Sequence, residues 1–115
     1  MDILQLREYC LSLPKVTEDV KWEKNLCFSI GKKMFCIGSL DDKFSFSFKV
    51  MEDDFDELCN NEGVIPAPYL ARYKWVLVED PDCFSDSDWQ NYIKQSYGII
   101  KSNLPKNVLK KLSVE

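Results

Sequence analysis

The chain has no histidine among its 115 residues. Histidine is the side chain whose ordinary pKa suits proton transfer near neutral pH, and it is the commonest metal ligand. Without it, Ser-His-Asp and Cys-His catalysis are excluded, because both need an imidazole to take the nucleophile's proton. The five cysteines, Cys10, Cys27, Cys36, Cys59 and Cys83, form no C-x-x-C pair. An odd number so spaced argues against a disulfide framework or a thiolate zinc site. They read instead as small apolar side chains in a reducing compartment. No apolar run approaches the roughly 18 residues of a membrane span. The start, Met1 to Glu8, lacks the basic-then-apolar pattern of a signal peptide. The expectation is a cytoplasmic protein with no membrane partner. The turn Gly31-Lys32-Lys33 lacks the G-x-x-x-x-G-K pattern of a phosphate loop. Internal repeats, linkers and low-complexity tracts are missing too.

What is present fits one α+β domain over residues 1–115. The hydrophobic fraction is 45% and the charged fraction 30%, too apolar for disorder. A chain of this length buries roughly 65% of its unfolded surface, enough for a core without staples. Aromatics reach 13%, so that core should be rich in rings. The net charge is −4. Nucleic-acid affinity depends on cations displacing counterions, so any nucleic-acid face would have to be local.

Residues 2–13 have helical spacing, with Asp2 as N-cap and Ile3, Leu6, Tyr9, Cys10 and Leu13 as the apolar positions. Pro14 ends that helix, and residues 15–19 read as a polar loop. A meander follows over 20–50, with turns at Gly31-Lys32-Lys33 and Asp41-Asp42. In Lys43 to Lys49 three phenylalanines alternate with serine and lysine, which gives one buried and one wet face. A short helix over 53–61 opens with acids that suit its dipole. An extended loop with Pro66 and Pro68 leads to a strand over 73–79. Ser85 caps a long helix over 86–103 with the stripe Trp89, Ile93, Tyr97, Ile100 and Leu104. Pro105 starts a last helix. This order predicts an antiparallel sheet with helices on one face.

Three stretches invite a functional reading. Residues 80–88 alternate acids as a calcium loop would, but Ser85 and Asn91 stand where glycine and glutamate are needed. The acids of 52–57 are explained by helix capping. No metal and no cofactor is expected. The third stretch, Tyr69 to Trp75, mixes Arg72 and Lys74 with three rings. Rings can stack on bases while cations pair with phosphate; the same residues would equally serve a loop-to-strand junction with its rings in the core. The charge is lopsided. Residues 52–62 carry six acids and no base, whereas Lys94, Lys101, Lys106, Lys110 and Lys111 near the end face Glu115 alone. A basic patch can coexist with a negative total.

Four stretches in order resemble the MmcQ/YjbR family of small bacterial proteins: Leu6 to Pro14, Gly31 to Cys36, Pro68 to Trp75, and Ser96 to Lys101 continuing through Leu104-Pro105-Lys106. The resemblance implies an α+β fold related to secretion-chaperone-like proteins, described as a double wing, and a DNA-binding role. Arg72 stands where the family usually has lysine, and Trp75 at the family tryptophan. Tyr69 and Lys74 replace usual histidines, and Ala71 a usual asparagine, so charge and stacking capacity remain without imidazole. The leading expectation is therefore a non-enzymatic, sequence-nonspecific DNA-binding module. Arg72, Lys74, Lys32, Lys33 and Lys101 would contact phosphate, with Tyr69 or Tyr73 stacking. The alternative is a protein-interaction or chaperone-like module, with a protein partner or a homodimer on the wet face of the meander.

Overall fold

A computed structural model describes residues 1–41 and 43–114, with 113 and 114 described by their backbone. Asp42 of the expected Asp41-Asp42 turn lies outside the described residues, as does Glu115. Helix α1 spans Ile3–Ser12. Asp2 accepts the Gln5 N–H, and the Gln5 side chain accepts the Asp2 N–H, closing a capping box. The strands are β1 (Val16–Lys21), β2 (Asn25–Ile30), β3 (Lys33–Ser39) and β4 (Ser45–Lys49). Then come α2 (Glu52–Cys59), β5 (Val64–Pro66), β6 (Trp75–Val78), α3 (Asp86–Ser102) and α4 (Lys106–Val114). The six strands form one antiparallel sheet in the order β1-β2-β3-β4-β6-β5.

Two strands correct the sequence reading. Residues 15–19 were expected as loop, but β1 pairs with β2 from Val16–Ile30 to Lys21–Asn25. Its side chains are mostly exposed. An edge strand is held by backbone hydrogen bonds and gains protection from polar side chains, so no apolar alternation marks it. Strand β5 was hidden by prolines. It is the other edge, where Pro66 costs no ladder hydrogen bond. The strand expected over 73–79 begins later. Ala71–Tyr73 make a 3-10 turn, and Lys74 follows with φ +65° before β6 starts at Trp75.

The register sorts the sheet into two faces. Phe28, Cys36, Phe48 and Val76 lie opposite one another across β2, β3, β4 and β6, as do Leu26, Gly38, Phe46 and Val78. This side carries the helices: α3 packs on β2, β3 and β4, α1 on β1, and α2 on β5 and β6. A bulge in β3, where Phe28 faces Cys36 but Ser29 faces Met34, leaves Phe35 unpaired. Phe35 and Cys36 can then both turn to the helices: Phe35 meets the Tyr97 ring edge-on at 5.4 Å, and Cys36 is buried in the same core cluster as Cys10 of α1. The expected phenylalanine ladder is present, Phe44 stacking on Phe46 at 6.0 Å and Phe46 on Phe48 at 5.8 Å. The opposite face carries the row Cys27, Ile37, Ser47, Leu77 and Ile65. The groove on this face is lined by strand and loop residues, Ala67 to Leu70 among them.

Three of the four resembling stretches meet around Ser96 and Tyr97. Ser96 is fully buried; its Oγ accepts the Lys49 backbone N–H at 2.9 Å and donates to the Phe35 carbonyl at 2.6 Å. The Tyr97 hydroxyl donates to the Pro14 carbonyl at 2.6 Å, and burial pushes its phenol pKa up. Removing the Ser96 hydroxyl leaves a backbone donor and an acceptor without their partner. Urea titration should therefore show Ser96→Ala less stable by about 1–3 kcal/mol. An unchanged midpoint would mean that water replaces the hydroxyl at no cost.

Candidate nucleic-acid interface

The β4–β6 register sets Lys49 opposite Trp75 on the open side of the sheet. From there the Lys49 ammonium reaches the carbonyl of Tyr73, to which it donates. This joins the end of β4 to the 3-10 turn of the Tyr69–Trp75 segment. The β2–β3 turn arrives from the other direction. Gly31 takes φ +58°, and a Cβ there would lie 2.7 Å from Leu104 Cδ1 and 3.0 Å from Val108 Cγ1. Only glycine permits both the left-handed backbone and that close approach. Gly31 thus seats the Lys32-Lys33 turn against the elbow between α3 and α4.

These elements enclose a groove of about 470 Å³. Lys33 and Lys49 supply its charge, and Tyr73, Trp75 and Asn103 give further polar and aromatic lining. Among the described residues no carboxylate lines it. Arg72 extends the positive surface, its guanidinium 4.8 Å above the Tyr73 ring and donating to the Tyr73 hydroxyl at 2.6 Å. Among the described residues, Arg72, Lys33 and Lys49 have no carboxylate partner; the ion pairs formed are Met1–Asp82, Arg7–Glu18 and Lys24–Asp41. Cations left unpaired around an uncharged lining attract anions and gain from a partner.

The expected site residues divide. Lys33 and Tyr73 line the groove, Lys32 is next to Lys33 in the turn, and Arg72 rides on Tyr73. Lys101 follows the lining residue Ile100, but its ammonium lies over the Tyr97 ring at 5.7 Å. Lys74 turns away, its ammonium 4.9 Å from the Phe55 ring centroid on acidic α2. Tyr69 is 99% exposed and lines a different groove on the open sheet face. Two rings of the Tyr69–Trp75 segment are therefore outside the core, Tyr73 being 51% exposed, and Trp75 alone is buried.

Lys49 and Asn103 were not singled out from the sequence. The signal for Lys49 was its place on the wet side of an alternating strand, but its neighbours depend on pairing between β4 and β6, which sequence does not give. The acidic segment 80–88 works as capping. Asp80 accepts the Asp82 N–H, Ser85 accepts the Asp88 N–H, and Asp86 accepts from the Trp89 indole at 3.0 Å. Burial raises the thiols of Cys27, Cys36, Cys59 and Cys83 above their ordinary value, so they stay protonated near neutral pH and are poor nucleophiles.

A six-stranded antiparallel sheet with helices on one face defines an α+β protein of an architecture already seen in solved structures. A Deinococcus radiodurans protein with a DUF419 family domain superposes with a TM-score of 0.86 at 22% identity, over 96% of this chain and 87% of that one. A Pseudomonas syringae protein gives 0.73 at 16% identity, over 87% and 99%. Among curated proteins none matches the sequence. The YjbR family model matches residues 11–99, and the chain belongs to the YjbR family.

Proposed function

We propose that the protein binds nucleic acid without enzymatic action, using the groove between the β2–β3 turn, the end of β4 and the α3–α4 elbow. The observation that carries this reading is the convergence of Lys33 and Lys49 from separate strands on a lining that has no carboxylate among the described residues, with Arg72 stacked on the lining residue Tyr73. Such a site takes phosphate and has no rigid set of base-reading donors, so binding is sequence-nonspecific. The net charge of −4 opposes approach at long range, which makes binding weak and steeply salt-dependent. Fluorescence anisotropy of labelled oligonucleotides at about 50 mM salt should show micromolar binding that vanishes as salt rises several-fold. Absence of binding to both single-stranded and duplex DNA at low salt rejects the reading.

A second reading assigns the open sheet face to a protein partner or a second copy of the chain. It is favoured by that face's apolar lining, Met34, Ile37, Leu70 and Leu77 among it. A monomer in sedimentation at all accessible concentrations removes the homodimer.

A further inference from the structure

The open face of the sheet holds a second groove, of about 790 Å³. Its floor is neutral: Ser39, Ser45 and Ser47 alternate with Ile37 and Leu77. Two large rings stand among the lining residues. Trp22 is 69% exposed at the tip of the β1–β2 hairpin, and Tyr69 is 99% exposed in the segment before β6. Both have left-handed backbone, with φ +54° and +68°, where a bulky L-residue costs about 1–2 kcal/mol. The fold gains little from rings so exposed. Among the described residues Asp41 is the one carboxylate in the lining, and it is paired with Lys24 at 3.2 Å. Met34 and Leu70 line this groove and the basic one alike. The two grooves therefore adjoin across a shared wall, with cations on one side of it and exposed rings on the other.

We infer that the sheet face is a base-stacking platform, and that the ligand of the basic groove is single-stranded nucleic acid. The inference rests on the phosphate-binding reading above. A duplex buries its base faces and can satisfy only the cations. A single strand offers phosphates along one side and unstacked bases along the other, which matches the two linked surfaces. Serine hydroxyls either donate or accept, so they meet any base edge without choosing among them. Trp22 and Tyr69 supply the stacking, and Lys33, Lys49 and Arg72 the phosphate contacts.

The test compares an oligothymidylate of about 12 nucleotides with a duplex of the same length, on wild-type protein and on Trp22→Ala/Tyr69→Ala. Both replaced rings are exposed, and circular dichroism checks that the fold is kept. The single strand should bind more tightly than the duplex. The double variant should lose about 10–100-fold in single-strand affinity with duplex binding unchanged. Trp75 and Trp89 are buried, so the oligonucleotide should quench wild-type fluorescence through Trp22, and Trp22→Ala should remove that quenching. Equal affinity for both ligands, untouched by the double variant, overturns the platform while leaving the phosphate groove standing. A double variant that turns a dimer into a monomer at constant single-strand affinity also overturns it, and gives the face to a second copy. Failure of wild type to bind either ligand removes both readings.

Discussion

Reversing Lys33 and Lys49 together, as Lys33→Glu/Lys49→Glu, should weaken oligonucleotide binding at about 50 mM salt by at least a hundredfold. Each phosphate contact contributes close to 0.7–0.9 to the slope of log affinity against log salt. Losing two should flatten that slope by about 1.5 and cost roughly tenfold per contact at this salt, before the added repulsion is counted. Both lysines act on the same groove from elements distant in sequence, so their joint effect reports convergence there and not local charge. Lys49→Gln separates the charge from the hydrogen bond, since an amide can still donate to the Tyr73 carbonyl that the ammonium now reaches. The matched control is Lys74→Glu. Its ammonium lies against Phe55, outside the groove, and it should change affinity by no more than a long-range charge does. Equal losses for Lys74→Glu and Lys33→Glu would mean that total charge governs binding and that the groove is irrelevant.

The acidic total and the basic groove are compatible because the acids are used elsewhere. Glu52, Asp53 and Asp54 occupy the first turn of α2, and Asp86 and Asp88 that of α3, where carboxylates complement helix dipoles. Glu18 holds Arg7 at 2.7 Å and ties β1 to α1. Positions that cap and pin the fold thus take negative charge. Among the described residues, the cations of the groove, Lys33, Lys49 and Arg72, have no carboxylate partner. Charge segregation of this kind sets a local potential opposite in sign to the net charge.

Much of this was legible in the sequence wherever local chemistry decides structure. The Ser85 cap and the stripe from Trp89 to Leu104 define α3, and the Phe44–Phe46–Phe48 alternation defines the buried side of β4. Features decided by pairing were not legible. β1 is polar because an edge strand buries little, so its side chains carry no period. The 3-10 turn at Ala71–Tyr73 and the left-handed Lys74 separate Arg72 from Lys74, two cations that look equivalent in sequence. The same pairing brings Lys49 beside Tyr73. Trp22 carried no signal, since a lone tryptophan in a polar stretch is usually buried, and its exposure follows from its place at a hairpin tip.

The sheet that positions these groups depends on its central ring. Phe48 is fully buried, faces Cys36 on β3 and Val76 on β6, and stacks on Phe46 at 5.8 Å and on Tyr92 of α3 at 5.7 Å. It therefore joins three strands to the longest helix. Phe48→Ala removes the transfer energy of a whole ring and leaves a cavity whose walls belong to both layers, which limits collapse. The expected loss is about 3–5 kcal/mol, a large part of the 5–15 kcal/mol typical of a domain. At a urea slope of about 1–3 kcal/mol per molar, the midpoint should fall by roughly 2 M with the slope unchanged. Phe44, at the half-buried end of the ladder, sets the contrast: its replacement by alanine exposes less new surface and should cost less than half as much. Because Phe48 directly precedes Lys49, the variant should also loosen the end of β4 and weaken oligonucleotide binding while still folded. A loss below about 1 kcal/mol would show that neighbouring rings close the gap, and that the ladder is not what fixes α3 to the sheet.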